Sequence, residues 1–153
     1  KISIDFEVMV PEKKEEKANE TVVYDLHGKS ILVVEDNAIN QMVIKMITKK
    51  WLNTTTVYAN NGQEGLDVLQ QQHFDIILMD LQMPIMDGYE ATIAIRSGEA
   101  GDNNTHIPII AVTADVMETT KIRVKEIGMN HYISKPLKND TLYEAVINLV
   151  NKQ

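Results

Sequence analysis

Residues 74–90, FDIILMDLQMPIMDGYE, limit what this chain can fold into more than any other stretch. Residues 76–79 are apolar and run without alternation into Asp80, and Pro84 and the pair Asp87-Gly88 follow within a few positions. A short unalternated apolar run reads as a strand buried on both faces, as in a parallel sheet. Pro84 and Asp87-Gly88 then break the strand into a loop. Asp80 is therefore delivered to the rim of a sheet, at a strand carboxyl end, where open α/β sheets bind ligands.

The rest of the chain repeats that unit. Residues 30–34 (SILVV) read as a buried strand, and Asn37 is placed to cap a helix with the stripe Ile39, Met42, Val43, Met46 and Ile47. Residues 54–58 are β-rich, and Asn60-Asn61-Gly62 turns into a second helix through Leu66 and Leu69. After the 76–79 strand, a third helix spans residues 89–96 and breaks in the polar loop SGEAGDNNTH. Residues 109–112 form a fourth strand, followed by a helix with Val116, Thr120, Val124 and Ile127 on one face and Gly128 at its end. Residues 131–134 form a fifth strand, and Asn139 or Asp140 caps a last helix that turns Leu142, Val146, Leu149 and Val150 inward. Strand and helix alternating in this way specify an α/β fold: a doubly wound, five-stranded parallel sheet with helices on both faces and right-handed crossovers.

The first ten residues differ. Ile2, Ile4, Phe6 and Val8 alternate with Lys1, Ser3, Asp5 and Glu7, the pattern of a half-buried antiparallel strand. Pro11 stops it, and residues 11–27 read as a charged linker. The expected organisation is a terminal strand of a preceding, truncated domain at 1–10, the linker, and the α/β domain at 28–153. The alternative is that residues 1–10 add a strand to the following sheet.

With 153 residues, 44% of them hydrophobic, one domain with a substantial core is expected. The chain lacks cysteine, so disulfides and thiolate metal sites are excluded. A formal charge of -7 argues against binding nucleic acid or acidic membranes. No apolar run is long enough for a bilayer and no signal peptide opens the chain, which points to a cytoplasmic protein without direct membrane contact.

The residues at the strand ends carry the chemistry. Glu35 and Asp36 follow the first strand, Asp80 the third, Thr113 the fourth, and Lys135, before Pro136, the fifth. With the first strand central and the third and fourth beside it, these groups converge on one crevice. Taken singly they have ordinary roles, such as a helix cap, a buried threonine or a surface lysine. Together, three carboxylates in a small volume need positive charge among them. Lys135 supplies one, and a hard divalent cation held by oxygen, Mg²⁺, suits the remainder. Phosphoryl transfer onto a carboxylate uses all five groups: Asp80 as nucleophile, with Mg²⁺, Lys135 and Thr113 each on an oxygen of the transferring group.

VVEDN, ILMDLQMPIMDG, AVTA and ISKP, in that order, resemble the signature segments of response-regulator receiver domains of two-component signalling. The resemblance implies a flavodoxin-like sheet of strand order 2-1-3-4-5. It makes Asp80 the phosphoacceptor, and Glu35, Asp36, Asp80 and the main-chain carbonyl of Gln82 the Mg²⁺ ligands. Lys135 pairs with the phosphoryl group, Thr113 and Tyr132 are the switch residues, and the Lys135-Pro136 bond is cis. EDNAINQ resembles receivers fused to sensor histidine kinases, and the first strand resembles the end of a kinase ATP-binding domain. The implied parent is a hybrid histidine kinase, with its dimerisation and phosphodonor domain and a histidine phosphotransfer protein as partners. Gln82 and Asp115 flank the path of an attacking water and are expected to tune the acyl phosphate lifetime. Ala38 and Ile39 are the expected docking surface for a helical bundle, and Ile122 an exposed contact. Competing readings are a haloacid-dehalogenase-type phosphohydrolase, a flavin-binding module, and a docking-only receiver. The first needs an acid where Gln82 stands, and the second a loop free of carboxylates. Kinase activity within the chain is not expected, because no glycine-rich nucleotide loop is present and His27, His73, His106 and His131 lack a phosphodonor context.

Overall fold

A computed structural model describes residues 23–151, so the strand read at 1–10 and the linker as far as residue 22 lie outside the described residues. Five strands, β1 (Asp25–Val34), β2 (Leu52–Ala59), β3 (Ile76–Asp80), β4 (Ile109–Thr113) and β5 (His131–Ser134), form one sheet ordered β2-β1-β3-β4-β5. Every pairing is parallel. The helices are α1 (Ala38–Thr48), α2 (Gly62–Gln71), α3 (Gly88–Arg96), α4 (Glu118–Glu126) and α5 (Asn139–Val150).

Alternate side chains of the central strands feed two cores. Leu32, Val34, Ile77, Met79, Ile109 and Ala111 pack with residues of α2, α3 and α4. Ile31, Val33, Ile76, Leu78, Ile110 and Val112 pack with Ile44 of α1 and with Leu142, Ala145, Val146 and Val150 of α5. Strands covered on both faces have no polar side to show, which is why β3 and β4 read as unbroken apolar runs.

Local chemistry sets the helix ends. Asn37 Oδ1 accepts the Ile39 and Asn40 amides at 2.9 and 3.0 Å, the expected cap of α1. Asp87 caps α3, with Glu90 returning to the Asp87 amide in a reciprocal box. At the end of α4, Gly128 takes φ +104°. Its amide and that of Met129 reach Lys125 O and Val124 O, closing a Schellman motif.

Four expectations need correction. First, β1 begins at Asp25, upstream of the domain boundary read at residue 28. Leu26 is fully buried, and a bulge between Asp25 and Lys29, with His27 and Gly28 at positive φ, hides the pairing from sequence. Second, the fully buried residues of α1 are Ile44 and Thr48; of the predicted stripe only Ile47 packs against the core, partly buried, while Ile39, Met42 and Met46 are 73%, 61% and 60% exposed and Val43 is exposed as well. The helix is apolar around most of its circumference, so two faces fit the period, and Thr48 meets the core by returning its hydroxyl to Ile44 O at 2.9 Å. Third, Val116 precedes α4 and is exposed; only Thr120 and Val124 of that helix are buried, while Ile122 is exposed as expected. Fourth, neither Asn139 nor Asp140 caps α5. Asn139 accepts the Trp51 indole N–H at 2.8 Å and Asp140 accepts the Tyr24 hydroxyl, so both tie distant elements instead.

Candidate active site at the carboxyl edge of the sheet

β1, β3, β4 and β5 end side by side, and at or just past their ends Glu35, Asp36, Asp80 and Lys135 come together. Val34 pairs with Met79, so Glu35 and Asp80 occupy equivalent next positions on adjacent strands. Oxygens of Glu35, Asp36 and Asp80 lie within 4.8 Å of one another. Glu35 and Asp80 are buried and Asp36 faces solvent. Lys135 Nζ stands 3.2 Å from Glu35 Oε1 and 3.6 Å from Asp80 Oδ1. Thr113 ends β4 and is buried, with its hydroxyl accepting the Asp115 amide at 3.1 Å. The Lys135-Pro136 bond is cis, as the resemblance implied.

Glu35 is held from several sides. Its Oε2 accepts the Asn37 amide at 3.1 Å and the Asn40 side-chain amide at 3.4 Å. Gln41 donates to the Glu35 carbonyl at 2.6 Å. Gln82 is exposed, and its amide lies 3.4 Å from Asp80 Oδ1. Tyr132 is half-buried against the α3–α4 side of the core, and its enclosed hydroxyl has no hydrogen-bond partner among the described residues. Asp115 directs its carboxylate into its own loop, at Met117 and Thr120.

Sequence reasoning missed the close backbone contacts around the loop that follows Asp80. Gly88 N donates to Leu81 O at 3.1 Å, and a Cβ on Gly88 would lie 2.2 Å from Asp80 O. Gly62 N reaches Met86 O at 2.9 Å, with only 2.6 Å between that oxygen and an added Cβ. Between them Ile85 takes φ 70°, with Met86 N bonded to Pro84 O at 2.7 Å in a strained γ-turn. The Asp-Gly dipeptide was a legible turn signal, whereas the close approach of two backbones was not.

Burial and the neighbouring Glu35 push the Asp80 carboxyl up to about 6, with Lys135 and the Gln82 amide pulling the other way. A carboxyl raised above its unfolded value binds more protons in the native state, so stability falls as pH climbs from about 4 to 6. Asp80→Asn removes the ionisation. Relative to wild type, this variant should gain on the order of 1 kcal/mol across that window, the full shift being reduced by water at the rim. Urea unfolding at a series of pH values measures the difference; a gap independent of pH would contradict it.

Three carboxylates, one lysine and no sulfur or imidazole make an all-oxygen donor set with excess negative charge, which fits a hard divalent cation. A parallel 2-1-3-4-5 sheet with this set at its carboxyl edge defines a receiver-type phosphotransfer fold. Residues 31–147 match the family described as response regulator receiver domain, and the chain belongs to that family.

Among curated proteins, the chain is 41% identical over 139 residues to probable histidine kinase 5 of Oryza sativa. It is 43% identical over 122 residues to hybrid signal transduction histidine kinase I of Dictyostelium discoideum. These matches cover 79% and 76% of this chain but span only 12% and 7% of those proteins. Among solved structures, the receiver domain of a Pseudomonas aeruginosa sensor histidine kinase, with magnesium coordinated in its cleft, is 34% identical with a TM-score of 0.73. The likeness covers 81% of this chain and 98% of that one. A co-crystal of a Saccharomyces cerevisiae histidine phosphotransfer protein with the receiver domain of its response regulator gives 29% identity and a TM-score of 0.73. It covers 82% of this chain and 90% of that one. The dehalogenase-type reading receives no support from these relatives, and Gln82 carries an amide where it needs an acid. Among the described residues no helix is long and apolar enough to cross a membrane.

Proposed function

We propose that Asp80 is the phosphoacceptor of this receiver and that Glu35, Asp36, Asp80 and the Gln82 carbonyl hold Mg²⁺. The observation that carries the reading is the gathering of three carboxylates within 4.8 Å, with Lys135 reaching both Glu35 and Asp80. A carboxylate oxygen of Asp80 attacks the phosphorus of a phosphohistidine; the new O–P bond forms as the P–N bond breaks, and the departing imidazole nitrogen takes up a proton. Mg²⁺, when bound, supplies charge neutralisation for the phosphoryl oxygens. Lys135 neutralises a further oxygen. Thr113 turns its hydroxyl toward the phosphorylated side chain, and Tyr132 follows, biasing the surface of α4, β5 and α5.

The parent is a hybrid histidine kinase, in line with the relatives, and its dimerisation domain is the phosphodonor. The organisation read ahead of β1, a terminal strand at 1–10 and a charged linker after it, belongs to this proposal, as does a cytoplasmic location. A histidine phosphotransfer protein takes the group onward. The exposed apolar face of α1, where Ile39, Met42 and Met46 are uncovered, is the surface that suits a helical bundle.

Incubation with Mg²⁺ and a small-molecule acyl phosphate, read by intact mass, tests the assignment. Wild type should gain one phosphate in a Mg²⁺-dependent manner and Asp80→Asn none. An adduct of equal size on the variant would overturn it.

A further inference from the structure

The segment joining β4 to α4 is tied together by side chains rather than by packing. Asp115 N donates to Thr113 Oγ1 at 3.1 Å. The Asp115 carboxylate accepts the Met117 amide on Oδ1 at 2.9 Å and the Thr120 hydroxyl on Oδ2 at 2.6 Å. Both carboxylate oxygens are thus engaged within the loop and the first turn of α4. The Thr120 hydroxyl bond, and then the Met117 amide, hold this carboxyl below its usual range, so it is an anion at neutral pH. Thr120 is 7% exposed, and with Val124 it is one of the two buried residues of α4. Among the described residues no side chain caps the helix at Met117, and the bonds of Asp115 to the Met117 amide and the Thr120 hydroxyl span its start.

Resting on the assignment of Asp80 as phosphoacceptor, we propose that Thr120 is a positioning residue for the lifetime of the acyl phosphate. It holds Asp115 against α4 and so keeps that carboxylate from assisting water. In the hydrolytic step, a water oxygen attacks phosphorus and the bond from Asp80 oxygen to phosphorus breaks. Asp80 leaves as carboxylate, and one water proton passes to an acceptor. A released Asp115 is such an acceptor, two residues beyond the switch hydroxyl; a tethered one spends its charge on Thr120 and Met117. The same tether works through the backbone, because the Asp115 amide holds the Thr113 hydroxyl.

Thr120→Val keeps shape and burial but deletes the donor; Thr120→Ser restores it. Each protein is phosphorylated with Mg²⁺ and an acyl phosphate, the donor is removed, and loss of the adduct is followed by intact mass. Losing a hydrogen bond to a charged group should shorten the lifetime by about threefold or more in Thr120→Val. Thr120→Ser should match wild type. Asp115→Ala and the double variant Asp115→Ala/Thr120→Val should match each other, since Thr120 acts only through Asp115. An unchanged lifetime in Thr120→Val, or an acceleration that persists without Asp115, overturns the proposal. A wild type that takes no phosphate instead overturns the Asp80 assignment, and this proposal with it.

Discussion

Gly88→Ala is expected to destabilise the fold by about 3 kcal/mol or more and to misplace Asp80. The added Cβ would sit 2.2 Å from the Asp80 carbonyl oxygen, 2.9 Å from Leu81 Cα and 3.0 Å from the Asp80 carbonyl carbon. All three are backbone atoms and cannot swing aside as a side chain can. Gly88 also opens α3 and donates to Leu81 O, so moving it away from β3 breaks that bond and tilts the first turn of the helix. Gly28→Ala is the control. Its φ is +92°, yet among the described residues nothing lies within 4 Å of the new Cβ, so the variant meets only the left-handed backbone cost of about 1 kcal/mol. Urea unfolding of both variants separates the two effects, with phosphate uptake as a second readout on Gly88→Ala. A Gly88→Ala protein within about 1 kcal/mol of wild type would show that the α3 entrance is looser than its contacts imply.

That contrast also marks what could be read before the structure. β3 and β4 were legible because a strand covered on both faces must be apolar throughout, and each ends on a polar residue that cannot go further in. Glu35, Asp80, Thr113 and Lys135 were legible as a group because parallel strands align their ends. The faces of α1 were not: with apolar residues on nearly every side, periodicity alone cannot choose between Ile44 and Ile39. The true start of β1 was hidden by a bulge at His27 and Gly28. Capping of α5 misled for another reason. Asn139 and Asp140 have the right chemistry for a cap, and tertiary partners at Trp51 and Tyr24 took it. Contacts between elements far apart in sequence leave no local pattern. The same holds for Asn104, which looked like one more polar residue of a loop. It is buried, and its amide donates to Leu69 O at 3.1 Å and Ala100 O at 2.8 Å.

Arg96→Ala should cost about 2 to 4 kcal/mol, and Arg96→Lys most of that. Arg96 closes α3, where sequence offers only an unexceptional basic residue in a last turn. Its guanidinium is instead a joint for three connections. Nε and Nη2 donate to Gly128 O at 3.0 and 2.8 Å, just past α4. Nη1 donates to Thr105 O and Ile107 O at 2.9 and 2.7 Å, before β4. Nη2 also reaches Asn130 Oδ1 at 3.0 Å, the same oxygen that accepts the first amide of β4, Ile109 N, at 2.9 Å. Burial pulls the guanidinium below its usual range, but it stays protonated and donates at every nitrogen. Truncation strands three carbonyls and frees the approaches to β4 and β5 together. Lysine brings charge but no planar fork, and one ammonium cannot meet acceptors on opposite sides of its stem. The fit is close enough that a Cβ on Gly128 would touch Arg96 Nε at 3.1 Å and Cγ at 3.3 Å. Hydrogen exchange localises the effect: Arg96→Ala should lose protection in β5 and at the end of α4 before β1 and β3. Uniform loss across the sheet, or an unfolding free energy within 1 kcal/mol of wild type, would mean that water replaces the guanidinium at little cost.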